Sequence, residues 1–186
     1  KDGKWAWFQA SDVNGWQGSN IEIWNNFRIF SAAEGNKLAE LNAHPSNGAA
    51  FSIFQTFDTT VGSIYDLSFF YGARRSNNEA FRINLYAADN TEILSELIDD
   101  HEVKKWSFYS NSFTATSEST TLMFTSVFPE SATVGNFLDD IEVIASPFKS
   151  NRLVTDVPEP NAIFLALFGL LVMMRKRIRA TITQSK

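Results

Sequence analysis

The sequence contains no cysteine, and among its 186 residues there are 3 methionines and 2 histidines. Without thiols there can be no disulfide, thiolate zinc site, iron–sulfur cluster or cysteine nucleophile. This does not argue against export, since a domain of this size can be stable without disulfides. The histidines, His44 and His101, have no second histidine nearby and stand in no HExxH frame, so a zinc hydrolase would lack ligands. No GxSxG elbow and no phosphate-binding Walker loop occurs. Asp99, Asp100, His101 and Glu102 form a run of polar residues before Lys104 and Lys105, which reads as an exposed turn. The sequence therefore points away from an enzyme.

What is present in quantity is aromatic and acidic. There are 17 phenylalanines and 5 tryptophans, with 44% hydrophobic and 20% charged residues, a composition that buries a core. The formal net charge of −5 is the sum of two unlike parts. Residues 1–157 carry 11 Lys and Arg against 20 Asp and Glu; residues 158–186 carry Arg175, Lys176, Arg177, Arg179 and Lys186 against Glu159 alone. An acidic body with a basic tail is a poor nucleic-acid binder, because duplex affinity comes largely from neutralising phosphates.

The tail has three parts in order: Val157-Pro158-Glu159-Pro160, the apolar run Ala162 to Met174, and the basic cluster Arg175-Lys176-Arg177. The prolines oppose helix before the run, and Asn161 is a favourable N-cap. Thirteen apolar residues (162–174) rise about 20 Å, short of a hydrocarbon core of about 30 Å. The run is nevertheless apolar on every side and ends in a positive flank, as a membrane segment with a cytoplasmic C-terminus does. That tail closely resembles the PEP-CTERM sorting signal of Gram-negative bacteria. The resemblance implies export, recognition by an exosortase and cleavage near the motif, in cells that make exopolysaccharide and biofilm matrix. A plain C-terminal membrane anchor is the alternative. Because the chain begins at Lys1, the signal peptide such a route needs is expected in a longer precursor.

Between Trp5 and Ile144 the dominant signal is period-two alternation, broken by Gly, Asn, Ser and Asp clusters. Phe81 to Tyr86, Tyr65 to Phe69, Phe51 to Phe57 and Leu122 to Thr125 alternate most clearly. Asn20 to Trp24, Lys37 to Asn42, Trp106 to Phe113 and Phe137 to Ile144 are further strands, and Ile93 to Ile98 is strand or short helix. About eight to ten strands fit an all-β, antiparallel two-sheet sandwich. The expected organisation is a β-sandwich over 1–145, a linker over 146–156 and a sorting signal over 157–186. Within the last, the motif takes 157–160, the transmembrane helix 161–174 and the basic tail 175–186.

Gly35 to Asn42, Phe54-Gln55-Thr56-Phe57, Val61-Gly62, Tyr65 to Phe69, Tyr71-Gly72-Ala73-Arg74, Asn20 to Trp24 and Phe137 to Val143 together resemble the galactose-binding-like jelly rolls of exported bacterial proteins. This resemblance implies a noncatalytic ligand-binding module, often for carbohydrate or a peptide end and often holding one calcium ion.

Strict alternation puts Phe137, Asp139, Ile141 and Val143 on one face and Leu138, Asp140 and Glu142 on the other, so Asp139 points with the core residues. A carboxylate there is costly unless paired, hydrogen-bonded or metal-bound. Related jelly rolls place a structural calcium ligand in this strand, with Glu22, Glu34 or Glu40 as the candidate second acid; a turn cap or an Arg partner is the alternative. For a ligand the informative group is Glu22, Trp24, Glu40, Asn42, Tyr71, Arg74 and Arg75. Sugars need a flat aromatic face and planar polar groups, while paired arginines favour a carboxylate. The expected function is carbohydrate binding, with exopolysaccharide as one ligand. The alternatives are an adhesion protein that binds a protein or peptide end and, more remotely, a glycan hydrolase, for which the separation of a carboxylate pair such as Asp139 and Glu22 would decide.

Overall fold

A computed structural model describes residues 3–27 and 30–147; the sorting motif, the apolar run and the basic tail lie outside the described residues. No helix among the described residues is long and apolar enough to cross a membrane. The described strands are β1 (Lys4–Phe8), β2 (Gln17–Gly18), β3 (Ile21–Asn25), β4 (Lys37–Glu40), β5 (Ser52–Asp58), β6 (Ile64–Gly72), β7 (Ala80–Ala87), β8 (Glu92–Ile98), β9 (Ser107–Thr114), β10 (Ser119–Phe128) and β11 (Phe137–Ala145). A single 3₁₀ turn (Ala10–Asp12) follows β1. The strands form a six-stranded sheet, β1-β3-β4-β11-β6-β9, and a five-stranded sheet, β2-β5-β10-β7-β8. Every strand pairing is antiparallel, and the sheets pack as a jelly-roll sandwich.

Alternation explains the packing. Leu67, Phe69 and Tyr71 of β6, Phe81, Ile83 and Leu85 of β7, and Leu122 and Phe124 of β10 turn inward and bury together. Phe69 stacks on Tyr109 at 4.7 Å between ring centroids and meets Phe124 edge-on at 5.2 Å. Each such ring contributes about 1.5–3 kcal/mol by leaving water. The ambiguous segment Ile93 to Ile98 is strand, paired with β7.

A second cluster lies on the opposite face of the six-stranded sheet. Trp24, Phe30, Leu38 and Phe137 bury there, with Phe27, Ala32 and Trp106 packed against them. The segment between β3 and β4 supplies Phe27 and Phe30, so this sheet is partly covered on both sides. Gly72 makes room for it: a Cβ there would lie 2.7 Å from the Lys105 carbonyl oxygen and 3.3 Å from Phe30.

The strict alternation expected for β11 does not hold. Its pairing with β6 shifts between Asp139 and Glu142, and Asp140 adopts φ +49°. This bulge inserts one residue. Leu138, Ile141 and Val143 all contact the inter-sheet core, while Phe137 belongs to the outer cluster. Asp139 shares the face of Phe137, as expected, but that face looks away from the inter-sheet core. The reading of residues 99–102 as an exposed turn is also corrected at one position. His101 is 2% exposed, packed edge-on against Tyr71 at 5.0 Å and Phe81 at 5.2 Å.

Candidate ligand-binding face

The outer face of the six-stranded sheet is built by cross-strand register. Trp7 lies opposite Glu22, Glu22 opposite Glu40, and Glu40 opposite Phe137; in the next row Trp5 lies opposite Trp24 and Trp24 opposite Leu38. Paired residues share a face, so tryptophans, carboxylates and apolar rings alternate across four strands. Trp5 and Trp7 are 47% and 44% exposed, on an edge strand in which every residue is exposed. Trp24 is 4% exposed, its ring 5.8 Å from Trp5.

Arg74 enters this face from the loop after β6. Its Nη1 donates to Glu40 Oε1 and Oε2 at 2.9 and 2.8 Å and stands 3.9 Å from Glu22 Oε1. The guanidinium carbon lies 4.9 Å from the centroid of Trp24 and 5.0 Å from that of Phe27, a cation–π arrangement. Trp24 Nε1 donates to Glu40 Oε2 at 2.9 Å, and the Gly135 N–H donates to Glu40 Oε1 at 2.7 Å. Gly135 adopts φ +143°, and a Cβ there would lie 2.8 Å from Pro129, so this close approach needs glycine. Burial pushes the Glu40 carboxyl up to about 8; Arg74 and the Gly135 N–H pull it down, and Glu22 adds to the rise.

The structure thus gathers Glu22, Trp24, Glu40 and Arg74 from the expected ligand group and places the others elsewhere. Asn42 is buried, its Nδ2 donating to the carbonyls of Pro129 and Ala132 at 2.8 and 3.0 Å. Tyr71 is in the inter-sheet core, its hydroxyl donating to Asp100 at 2.6 Å; its parity with Leu67 and Phe69 puts it there. Arg75 is exposed, and its backbone N–H donates to Glu79 Oε1 at 2.7 Å. The neighbouring arginines therefore do not act as a pair, since Arg74 is engaged by Glu40.

The alternation Trp5-Ala6-Trp7 marks the missed aromatic pair. Glu79 is the other residue that sequence reasoning missed. It is 1% exposed and accepts the backbone N–H groups of Arg74, Arg75, Ser76 and Asn136 at 2.7–3.0 Å. That carboxylate shapes the loop that carries Arg74, and no local pattern announces it.

Two of the residues named for calcium, Asp139 and Glu40, already have N–H partners on their oxygens. Asp139 Oδ2 accepts from the N–H groups of Ala33 and Glu34 at 2.7 and 3.2 Å, and Oδ1 accepts from Asp140 N at 2.9 Å. Burial raises the Asp139 carboxyl against these bonds. Asp139 and Glu40 are both surrounded by N–H donors, whereas calcium requires several oxygen ligands. Among the described residues no group of three or more His, Asp or Glu comes together to hold a metal.

A cavity of about 450 Å³ opens between the sheets near β3, β5 and β11, walled by Val13, Trp16, Ile21, Ile23, Leu138 and Ile141. Its walls are mainly apolar, unlike the outer face.

Fold and face together define an all-β jelly-roll sandwich with aromatic and charged side chains displayed on one sheet. The chain belongs to the family described as protein of unknown function DUF642, which matches residues 9–144; Trp5 and Trp7 precede the matched region. No curated protein matches the chain in sequence. Among solved structures it is similar to TmCBM61 in complex with β-1,4-galactotriose, at 10% identity and a TM-score of 0.50, covering 78% of this chain and 91% of that one. It is also similar to part of arabinose-bound MgGH51 α-L-arabinofuranosidase, at 13% identity and a TM-score of 0.52, covering 75% of this chain and 24% of that one. At these identities the likeness establishes the fold.

Proposed function

We propose that this chain is a noncatalytic carbohydrate-binding protein whose ligand lies on the outer face of the six-stranded sheet. The observation that carries the reading is the pair Trp5 and Trp7, exposed on the edge strand next to β3, which carries Glu22 of the buried Glu22–Arg74–Glu40 network. Flat rings cover the C–H faces of a sugar, and fixed planar polar groups orient its hydroxyls. The galactotriose complex of a protein with the same fold supports this assignment. The tail completes the reading: Val157 to Pro160, the apolar run and Arg175 to Arg177 address the protein for export and exosortase sorting, to the cell surface or matrix. A glycan array probed with the full chain in nonionic detergent tests the binding. Signal on defined glycans, lost in Trp7→Ala, is expected; an array with no glycan signal overturns the reading.

A further inference from the structure

Resting on this face as the glycan site, we propose that its ligand is an amino-sugar polymer with free amines, one of whose ammonium groups binds Glu22. Glu22 and Glu40 are cross-strand partners, and one guanidinium serves both. Arg74 makes its short contacts to Glu40 and stays 3.9 Å from Glu22. Glu40 has the Trp24 and Gly135 N–H groups as well. Glu22 is 2% exposed, and no described residue donates a hydrogen bond to its carboxylate. A carboxylate whose nearest cation stands 3.9 Å away has room for a closer, charge-assisted partner supplied from outside.

The surroundings fit an ammonium. Glu22 lies between Trp7, its cross-strand partner, and Arg74, and both of these reach solvent. Tryptophan faces attract cations as well as sugar C–H groups. A uronate would set a third carboxylate against two, and an N-acetylated sugar would stack on Trp5 and Trp7 but leave Glu22 without its donor.

The test is calorimetry on the full chain in nonionic detergent with three hexamers: glucosamine, N-acetylglucosamine and galacturonate. The glucosamine hexamer is expected to bind about tenfold tighter than the N-acetylated one, as one charge-assisted hydrogen bond provides, with the uronate weakest. Glu22→Gln should bring the first two affinities together. A salt series on the unmodified chain probes the same contact without a variant. The preference should shrink as salt screens the contact, and a preference for the amine that salt leaves unchanged overturns the ionic contact. Equal binding of the first two hexamers overturns the amine inference and leaves the glycan face standing; binding of none overturns both.

Discussion

Glu22 and Glu40 stand directly opposite each other on β3 and β4, with the single guanidinium of Arg74 held 2.8 Å from one and 3.9 Å from the other. This arrangement ties the stability of the sheet to the chemistry of its outer face, because the groups that would meet a ligand are also buried charges.

Above pH 8, where Glu40 is ionised, Arg74→Met is expected to destabilise the domain by about 3–5 kcal/mol, since it leaves Glu40 buried without its cation. Adding Glu40→Gln should restore much of the loss. Urea denaturation of both variants measures the difference, and a single variant as stable as the parent would contradict the role given to Arg74.

Trp7→Ala and Trp5→Ala should weaken glycan binding with little effect on folding, because both rings are about half exposed on an edge strand. Each ring that covers a sugar C–H face removes apolar area from water, so each variant should lose about tenfold in affinity, on the order of 1.4 kcal/mol. The melting midpoint, followed by circular dichroism, should stay within a few degrees of the parent.

Acid should unfold the domain through His101. Its ring nitrogens are buried without hydrogen-bond partners, and burial lowers its pKa from 6.5 to about 4. Below pH 6.5 the unfolded chain takes up a proton that the folded chain refuses. The stabilisation is therefore complete above that pH and is lost progressively towards pH 4, by about 3 kcal/mol. Glu40 acts in the opposite sense: its pKa is raised, so its contribution is present below pH 4.5 and is lost as pH rises through about 8. Denaturation midpoints between pH 4 and pH 8 for the parent and His101→Leu separate the two. An identical acid limb in the variant would remove His101 from the account.

Because the oxygens of Asp139 and Glu40 already accept N–H bonds, EDTA should leave the thermal midpoint unchanged. A drop on chelation, restored by calcium, would show a site that these residues do not assemble.

Replacing Pro158, Glu159 and Pro160 together with alanine should leave an uncleaved membrane form in the producing cell, seen as a larger band in the membrane fraction. Normal processing of this variant would argue for a plain anchor in place of exosortase recognition.

Much of the fold was legible in the chain because a half-buried strand writes its geometry as period-two alternation. Phe81 to Tyr86 and Tyr65 to Phe69 lie within strands β7 and β6, whereas Tyr71, expected in the ligand group, follows the parity of Leu67 and Phe69 into the core. β1 escaped notice because it is exposed throughout, with no buried face to mark it. The bulge at Asp139 and Asp140 also left no local signature, and it reversed the faces of half of β11.

The sequence by itself determined the all-β class, the absence of thiol and zinc chemistry, and the acidic body with its basic tail, since each follows from residue type and local order. Tertiary structure alone decided that Arg74 serves Glu40 and Glu22 instead of pairing with Arg75, that Asn42 and Asp139 are held by backbone groups, and that Trp5 and Trp7 lie across from Trp24 and Glu22. Those outcomes depend on strand order and register, which bring residues 5, 22, 40, 74 and 135 together, and no local pattern in the chain encodes contacts across such separations.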